Sequence, residues 1–302
     1  EQPRYDELEH LRELVAQQRA QLDQSITGQG HSLAMMAASS GMNPAALLSH
    51  QVGGLAGIRA IKDLDHHLNE SDNLQKLSDD LAALSSTLRS GQRQFLVVAE
   101  QDAIASSSRC LDAFWKSKPA GSTADLKLDE VRQQVQQAWL TSTQVNFCAK
   151  AYPTVPSDHP DSAVLSVLGG FLRNGYLHRA IREQGGAYGG GASQESNIAA
   201  FRFYSYRDPR LTETLADFDQ SIEWLLSKDH GYQPLEEAIL GVIGALDKPS
   251  SPAGEAKQAF QSRLFGRDAE FQQRFRERVL ATTEADLKRV AQTYLQPDQA
   301  ST

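Results

Sequence analysis

The stretch Tyr176-Leu-His-Arg-Ala-Ile-Arg-Glu-Gln-Gly-Gly-Ala-Tyr-Gly-Gly-Gly191 decides how this chain is read. A helical run carrying Arg179 and Arg182 enters Gly185-Gly186, Tyr188 follows, and three more glycines close the segment. Glycine accepts positive φ and lets backbone approach a ligand closely. Arg182 and Tyr188 stand six residues apart across that turn, so a fixed cation and a phenol can aim at one point. Such a pair suits a peptide carbonyl or a developing oxyanion. A plainer reading is a helix C-terminus with a glycine stop, Arg182 set against the helix dipole and Tyr188 in the core. Spacing alone leaves both open.

Working outward, residues 198–206 alternate. Phe201 and Phe203 fall on one face, Arg202, Tyr204 and Tyr206 on the other, as a half-buried strand requires. Residues 139–152 alternate in part and end at Pro153, which predicts a second strand pairing with the first. A long helix is expected over 161–181 and a glycine-rich segment over 187–196. Further helices are expected over 211–226, 235–246, 254–264 and 271–280. The last helix has Thr282 or Thr283 as its cap, a stripe of Leu287, Val290, Ala291, Tyr294 and Leu295, and Pro297 as its stop. Strands followed by helices without strict βαβ alternation suggest an α+β class.

The N-terminal side reads differently. Leu8, Leu11, Val15 and Leu22 form the apolar stripe of a helix, and the glycines of residues 27–32 are expected to break it. Asn43-Pro44 has the form of a helix start, with a helical stretch running on to Ile61, and another is expected over 71–89. Phe95-Leu-Val-Val-Ala99 is the best strand of this half; 104–115 is a helix and 116–129 a domain boundary. One strand cannot satisfy its own ladder. The chain opens at Glu1 rather than Met and reads as a piece of a longer polypeptide, with the partner strands upstream.

Composition narrows the function classes. At 302 residues the chain suggests about two domains. No apolar run approaches the ~20 residues that span a bilayer. Thirty Lys and Arg against 38 Asp and Glu give a net charge of −8, which argues against a general nucleic-acid binder. Cys110 and Cys148 cannot build a disulfide scaffold or a four-cysteine zinc site. No phosphate-binding loop and no G-x-S-x-G elbow is present. His67-Leu-Asn-Glu70 begins an H-x-x-E-H motif, but Ser71 stands where the second histidine should be, so no metal ligand set is read.

Residues 181–191, Ile-Arg-Glu-Gln-Gly-Gly-Ala-Tyr-Gly-Gly-Gly, resemble the C-terminal-half signature of the pitrilysin/insulinase family of zinc metallopeptidases, in its presequence-protease-like branch. In the same order, Gly-Gln-Gly-His-Ser-Leu-Ala-Met at 28–35, Gly53-Gly54-Leu55, and Phe203-Tyr-Ser-Tyr-Arg-Asp-Pro209 agree with it. The resemblance covers essentially the whole chain. It implies α+β domains of the LuxS/metallohydrolase-like kind, each an antiparallel-rich sheet covered by helices. Four such domains pair into two bowls around a closed chamber. Residues 1–120 would end the third domain, mainly helical with one strand, and 130–302 would be the fourth. The resemblance implies that Arg182 and Tyr188 act on the substrate, with Gly185, Gly186 and Gly189 letting the loop pass close to a peptide. Zinc would sit in the N-terminal catalytic half of the same polypeptide, on ligands outside this chain. The implied partners are that half and an unfolded peptide substrate, with no nucleic acid and no membrane. The implied setting is a bacterial cytoplasm or periplasm, or an organelle matrix. Alone, the chain is expected neither to hold catalytic zinc nor to cleave peptides. A rival reading is a non-catalytic structural or partner subunit of the same fold.

Overall fold

The computed structural model describes residues 4–68, 71–116 and 126–302. Its elements in chain order are α1 (Leu8–Ser39), α2 (Pro44–Gly53), α3 (Leu55–His67), α4 (Ser71–Ser90), α5 (Gln101–Trp115), β1 (Ala149–Pro153) and α6 (Asp161–Leu172). A π-helix (Arg173–Gln184) follows, then β2 (Gly189–Glu195), β3 (Ala200–Tyr206), α7 (Thr212–Ser227), α8 (Tyr232–Leu246), α9 (Pro252–Leu264), α10 (Ala269–Leu280) and α11 (Glu284–Tyr294). The described residues are therefore helix-rich α+β with a small antiparallel sheet. Two units interleave along the chain: Glu1–Gln18, Lys62–Lys127 and Pro249–Ala269 form one, and Arg19–Ile61, Leu128–Lys248 and Glu270–Thr302 the other. The expected boundary at 116–129 falls largely on 117–125, outside the described residues.

In the first unit α4 and α5 flank an extended segment at 92–100. The strand expected at 95–99 does not form a ladder with any described residue. Phe95 instead sets its ring 5.8 Å from that of Trp115, and Arg93 lies over the same indole at 4.2 Å. Apolar sequence gives extension here, but extension becomes a strand only with a partner to bond to.

The second unit holds the sheet, in the order β1-β3-β2. β1 pairs β3 with Ala149 opposite Tyr204, and β2 pairs β3 with Gly189 opposite Tyr206. The expected pairing of these two segments is present, but β1 is shorter than the alternation suggested. Residues 139–148 contribute only an isolated bridge, Asn146 to Asp208. Beyond β1 the sheet is extended by Ser301, whose backbone exchanges both hydrogen bonds with Ala151. The glycine-rich segment is a strand rather than a loop, since β2 begins at Gly189.

Period two sorts β3 as the sequence implies. Phe201 and Phe203 are fully buried, and Phe203 packs 5.4 Å from Phe218 of α7, beneath Leu165 and Leu168 of α6. Truncating such a phenylalanine typically costs about 3–5 kcal/mol. On the opposite face, Ala149 and Ala151 are covered by Ala34, Met35 and Ala38 of α1.

Helix ends follow local chemistry. The Asn43 side chain accepts from the Ala46 N–H at 2.9 Å, with Pro44 at the first helical position. Thr283, not Thr282, caps α11, in a reciprocal box with Asp286. The helix through Ile61 is two helices divided at Gly54. The break expected at 27–32 is only a kink. Gln29 alone leaves helical geometry, at φ −123° and ψ 16°, and α1 runs on to Ser39. A Cβ on Gly30 would lie 2.4 Å from the Phe147 ring, so this glycine serves close packing rather than chain reversal.

Candidate functional site

The long helix expected over 161–181 changes character on the way to the site. Its first twelve residues are α-helical, and the next twelve, Arg173–Gln184, are a π-helix. Such segments are rare in soluble proteins and concentrate at functional sites. The π-helix ends in a tight reversal. The Gly186 N–H donates to the Arg182 carbonyl at 3.1 Å, and the Ala187 N–H to that of Ile181 at 3.1 Å. Gly186 takes φ +79°, which favours glycine. Tyr188 then joins the sheet end, its N–H donating to the Tyr206 carbonyl at 3.1 Å.

Arg182 and Tyr188 thus leave from the two sides of one turn, on backbone fixed by those hydrogen bonds. Both are exposed, Tyr188 at 67%. The Tyr188 ring is accordingly outside the core, where the plainer sequence reading put it. Among the described residues, neither the Arg182 guanidinium nor the Tyr188 hydroxyl has a hydrogen bond or ion pair. Gly185 is buried beneath Arg210, Gly186 supplies the positive φ, and Gly189 faces open space where its side chain would be.

Beside Tyr188 lies an aromatic shelf that spacing alone did not announce. Tyr188 meets Tyr206 at 5.4 Å, Tyr206 meets His31 at 4.8 Å, and His31 reaches Tyr204 at 5.6 Å. Phe147 closes the group 5.8 Å from Tyr206. Burial of His31 pushes its pKa below the ordinary histidine value, because the cation loses solvation. Arg207 stands at the end of β3 with φ +49°, a strained setting for a non-glycine residue, and its guanidinium lies 5.3 Å over the Tyr206 ring. The alternation of 198–206 put Tyr204 and Tyr206 on the outer face. His31 was hidden by the helix break expected there.

No grouping of three His, Cys, Asp or Glu among the described residues could hold a metal ion. His66 and His67 sit side by side, with ring centroids 5.4 Å apart, while Glu70 lies outside the described residues. The residues present do not fit a zinc centre. Cys148 is no nucleophile either: burial raises its thiol to a pKa of about 11. No described helix is long and apolar enough to cross a membrane.

Comparison with known proteins agrees over the whole length. The family model of the PreP C-terminal domain matches residues 136–300, more than half of the chain, and a second, peptidase-associated family model matches residues 1–64. The mitochondrial presequence protease of Yarrowia lipolytica is 31% identical over 96% of this chain and 29% of its own length. That of Danio rerio is 32% identical over 97% of this chain and 30% of its own. The chain therefore spans about 30% of the length of these curated relatives. Among solved structures, pitrilysin superposes with a TM-score of 0.61 over 99% of this chain and 31% of that one, at 16% identity, which speaks to the fold.

Proposed function

The chain belongs to the family of the PreP C-terminal domain, and from that premise we propose that it closes the chamber of a zinc metallopeptidase acting on unfolded peptides. In this reading residues 1–120 end a third peptidase domain and 130–302 form the fourth, and the partner is the N-terminal catalytic half of the same polypeptide. Zinc and its ligands belong to that half. This chain contributes hydrogen-bond donors.

The observation that carries the reading is the pair of uncommitted donors at 182 and 188. Arg182 offers a fixed planar cation and Tyr188 a phenolic hydroxyl, on either side of a turn closed by backbone hydrogen bonds. Donors held in place before reaction act most strongly where negative charge develops, because nothing must reorganise as it appears. A peptide carbonyl seated between them would be oriented in the ground state and held more tightly as its oxygen gains charge. Gly185 and Gly186 shape the turn, and Gly189 leaves the strand edge clear for peptide to approach.

The test uses the full-length enzyme and an unfolded fluorogenic peptide. Arg182→Ala and Tyr188→Phe are each expected to lower kcat ~100- to 1,000-fold, as loss of one preorganised donor typically does. Melting temperature should stay near that of the parent. Unchanged kcat in both variants would leave a helix cap and a surface tyrosine, and a parent protein without peptidase activity would favour the structural-subunit reading.

A further inference from the structure

Resting on that reading, we infer that Arg210, clamped by Asp217, is a positioning residue that sets where Arg182 and Tyr188 point. Arg210 follows β3 and lies outside the turn, yet its Nη2 donates to the Ala180 carbonyl at 3.2 Å and to Asp217 Oδ2 at 2.8 Å. Asp217 belongs to α7 and its side chain is 14% exposed, against 26% for Arg210. The guanidinium lies directly under Gly185, where an added Cβ would come 1.9 Å from Nη2.

The need for such a clamp follows from the helix end. In a π-helix the Ala180 carbonyl would accept from the N–H five residues on, at Gly185. Gly185 instead donates to Arg182, and the reversal begins. The Ala180 carbonyl is left as an orphan of the last turn. Arg210 supplies the missing donor and places a positive charge at the negative end of the helix. It therefore determines the point at which the helix stops, two residues before Arg182.

Arg210 is itself held from several sides. Its backbone N–H donates to Asp208 Oδ1 at 2.9 Å, its carbonyl accepts from Asn146 Nδ2 at 3.3 Å, and Asp208 is pinned by the Thr214 hydroxyl at 2.8 Å. The arrangement ties the turn to the β3–α7 connection and to α7. A guanidinium can serve a carbonyl and a carboxylate from one planar fork. The point charge of a lysine cannot reproduce that geometry.

The experiment measures kinetics and amide exchange on the full-length enzyme. Arg210→Lys keeps the charge and Asp217→Asn keeps the shape, so either remains informative if Arg210→Ala fails to fold. Both are expected to lower kcat ~10- to 100-fold, the scale of a misplacement of about 1 Å, while KM changes little. Amide exchange at Gly186, Ala187 and Tyr188 should accelerate, with protection in the sheet unchanged. In an Arg182→Ala/Tyr188→Phe background, Arg210→Lys should cost no further kcat, because it acts through those residues. Parental exchange at 186–188 in folded Arg210→Lys overturns the inference, as does the same fold loss of kcat in both backgrounds. If Arg182→Ala and Tyr188→Phe leave kcat unchanged, the functional reading itself falls and the catalytic role of Arg210 falls with it. The exchange data then still show separately whether Arg210 holds the turn.

Discussion

The Tyr188 ring meets the Tyr206 ring edge-on, with centroids 5.4 Å apart and planes at 87°. This geometry sets the positive ring edge against the negative face and is worth about 0.5–1.5 kcal/mol beyond burial. It also explains how an exposed phenol can be held in place: the ring is braced while the hydroxyl stays available. A double-mutant cycle of Tyr188→Ala and Tyr206→Leu on chain stability should return a coupling of that size. Zero coupling would mean the two rings are independent and the phenol unbraced.

The two glycines on either side of Tyr188 should behave oppositely. A Cβ on Gly185 would collide with the Arg210 guanidinium and come 2.5 Å from the Ile181 carbonyl, and the carbonyl belongs to backbone that cannot step aside. Gly185→Ala should therefore destabilise the chain by about 1–3 kcal/mol, as overpacking does. A Cβ on Gly189 would meet nothing within 4 Å. Gly189→Ala should leave the melting temperature near the parent while lowering kcat/KM of the full-length enzyme, if peptide passes over that edge. Thermal unfolding and kinetics on the two variants decide both points.

What sequence reading reached, and what it missed, divides by physical cause. Patterns enforced by periodicity came through: the buried Phe201 and Phe203, the capped starts at Asn43 and Thr283, and the run of helices after β3. Features set by distant partners did not. Gly30 signalled a helix break, yet what it faces is Phe147, 117 positions along the chain (147 − 30), so the helix bends and continues. Phe95 to Ala99 has strand composition but no described neighbour to bond to, so composition alone overstated it. The glycines after Tyr188 looked like a loop because glycine disfavours strands. The Tyr204 carbonyl and Ile181 crowd Gly190, and room there mattered more than propensity. At the site, the Arg182-to-Tyr188 spacing was legible, whereas Arg210 and His31 were not, since each reaches the turn or the shelf only through the fold.

His31 should make the chain less stable in mild acid. Burial lowers its pKa below 6.5, so between the folded and unfolded values the unfolded chain binds more protons. Stability is then complete above about pH 6.5 and falls as pH drops through the folded value. His50 is buried with a lowered pKa and adds the same trend. The rings facing His31 are Tyr204 and Tyr206, so Phe can keep the contacts without the proton. His31→Phe should flatten the decline in melting temperature between pH 7 and pH 5.5. An unchanged pH slope would show that His31 stays solvated enough to titrate normally.

Asp161 should carry the opposite dependence, in a lower range. It opens α6, where a carboxylate complements the helix dipole, and its side chain is 12% exposed. Arg289 donates to both carboxylate oxygens, at 2.6 and 3.2 Å, and the Tyr294 hydroxyl donates at 2.7 Å. The hydrogen bonds from Arg289 are the largest cause holding its pKa below the ordinary 3.8; burial opposes them, and Tyr294 adds to the lowering. A depressed carboxyl contributes stability that is present above its unfolded pKa and lost as pH falls through the folded one. Charged hydrogen bonds are worth about 1.5–3 kcal/mol, but Arg289 is half exposed, so solvent screening reduces the expected cost of Asp161→Asn to about 1–2 kcal/mol at pH 7. Urea midpoints at pH 7, 5 and 3 test this. The deficit of the variant should be constant from pH 7 to 5 and shrink toward pH 3, where the parent carboxylate begins to protonate. A deficit that persists undiminished at pH 3 would assign the effect to hydrogen-bond geometry and packing, with the charge contributing nothing.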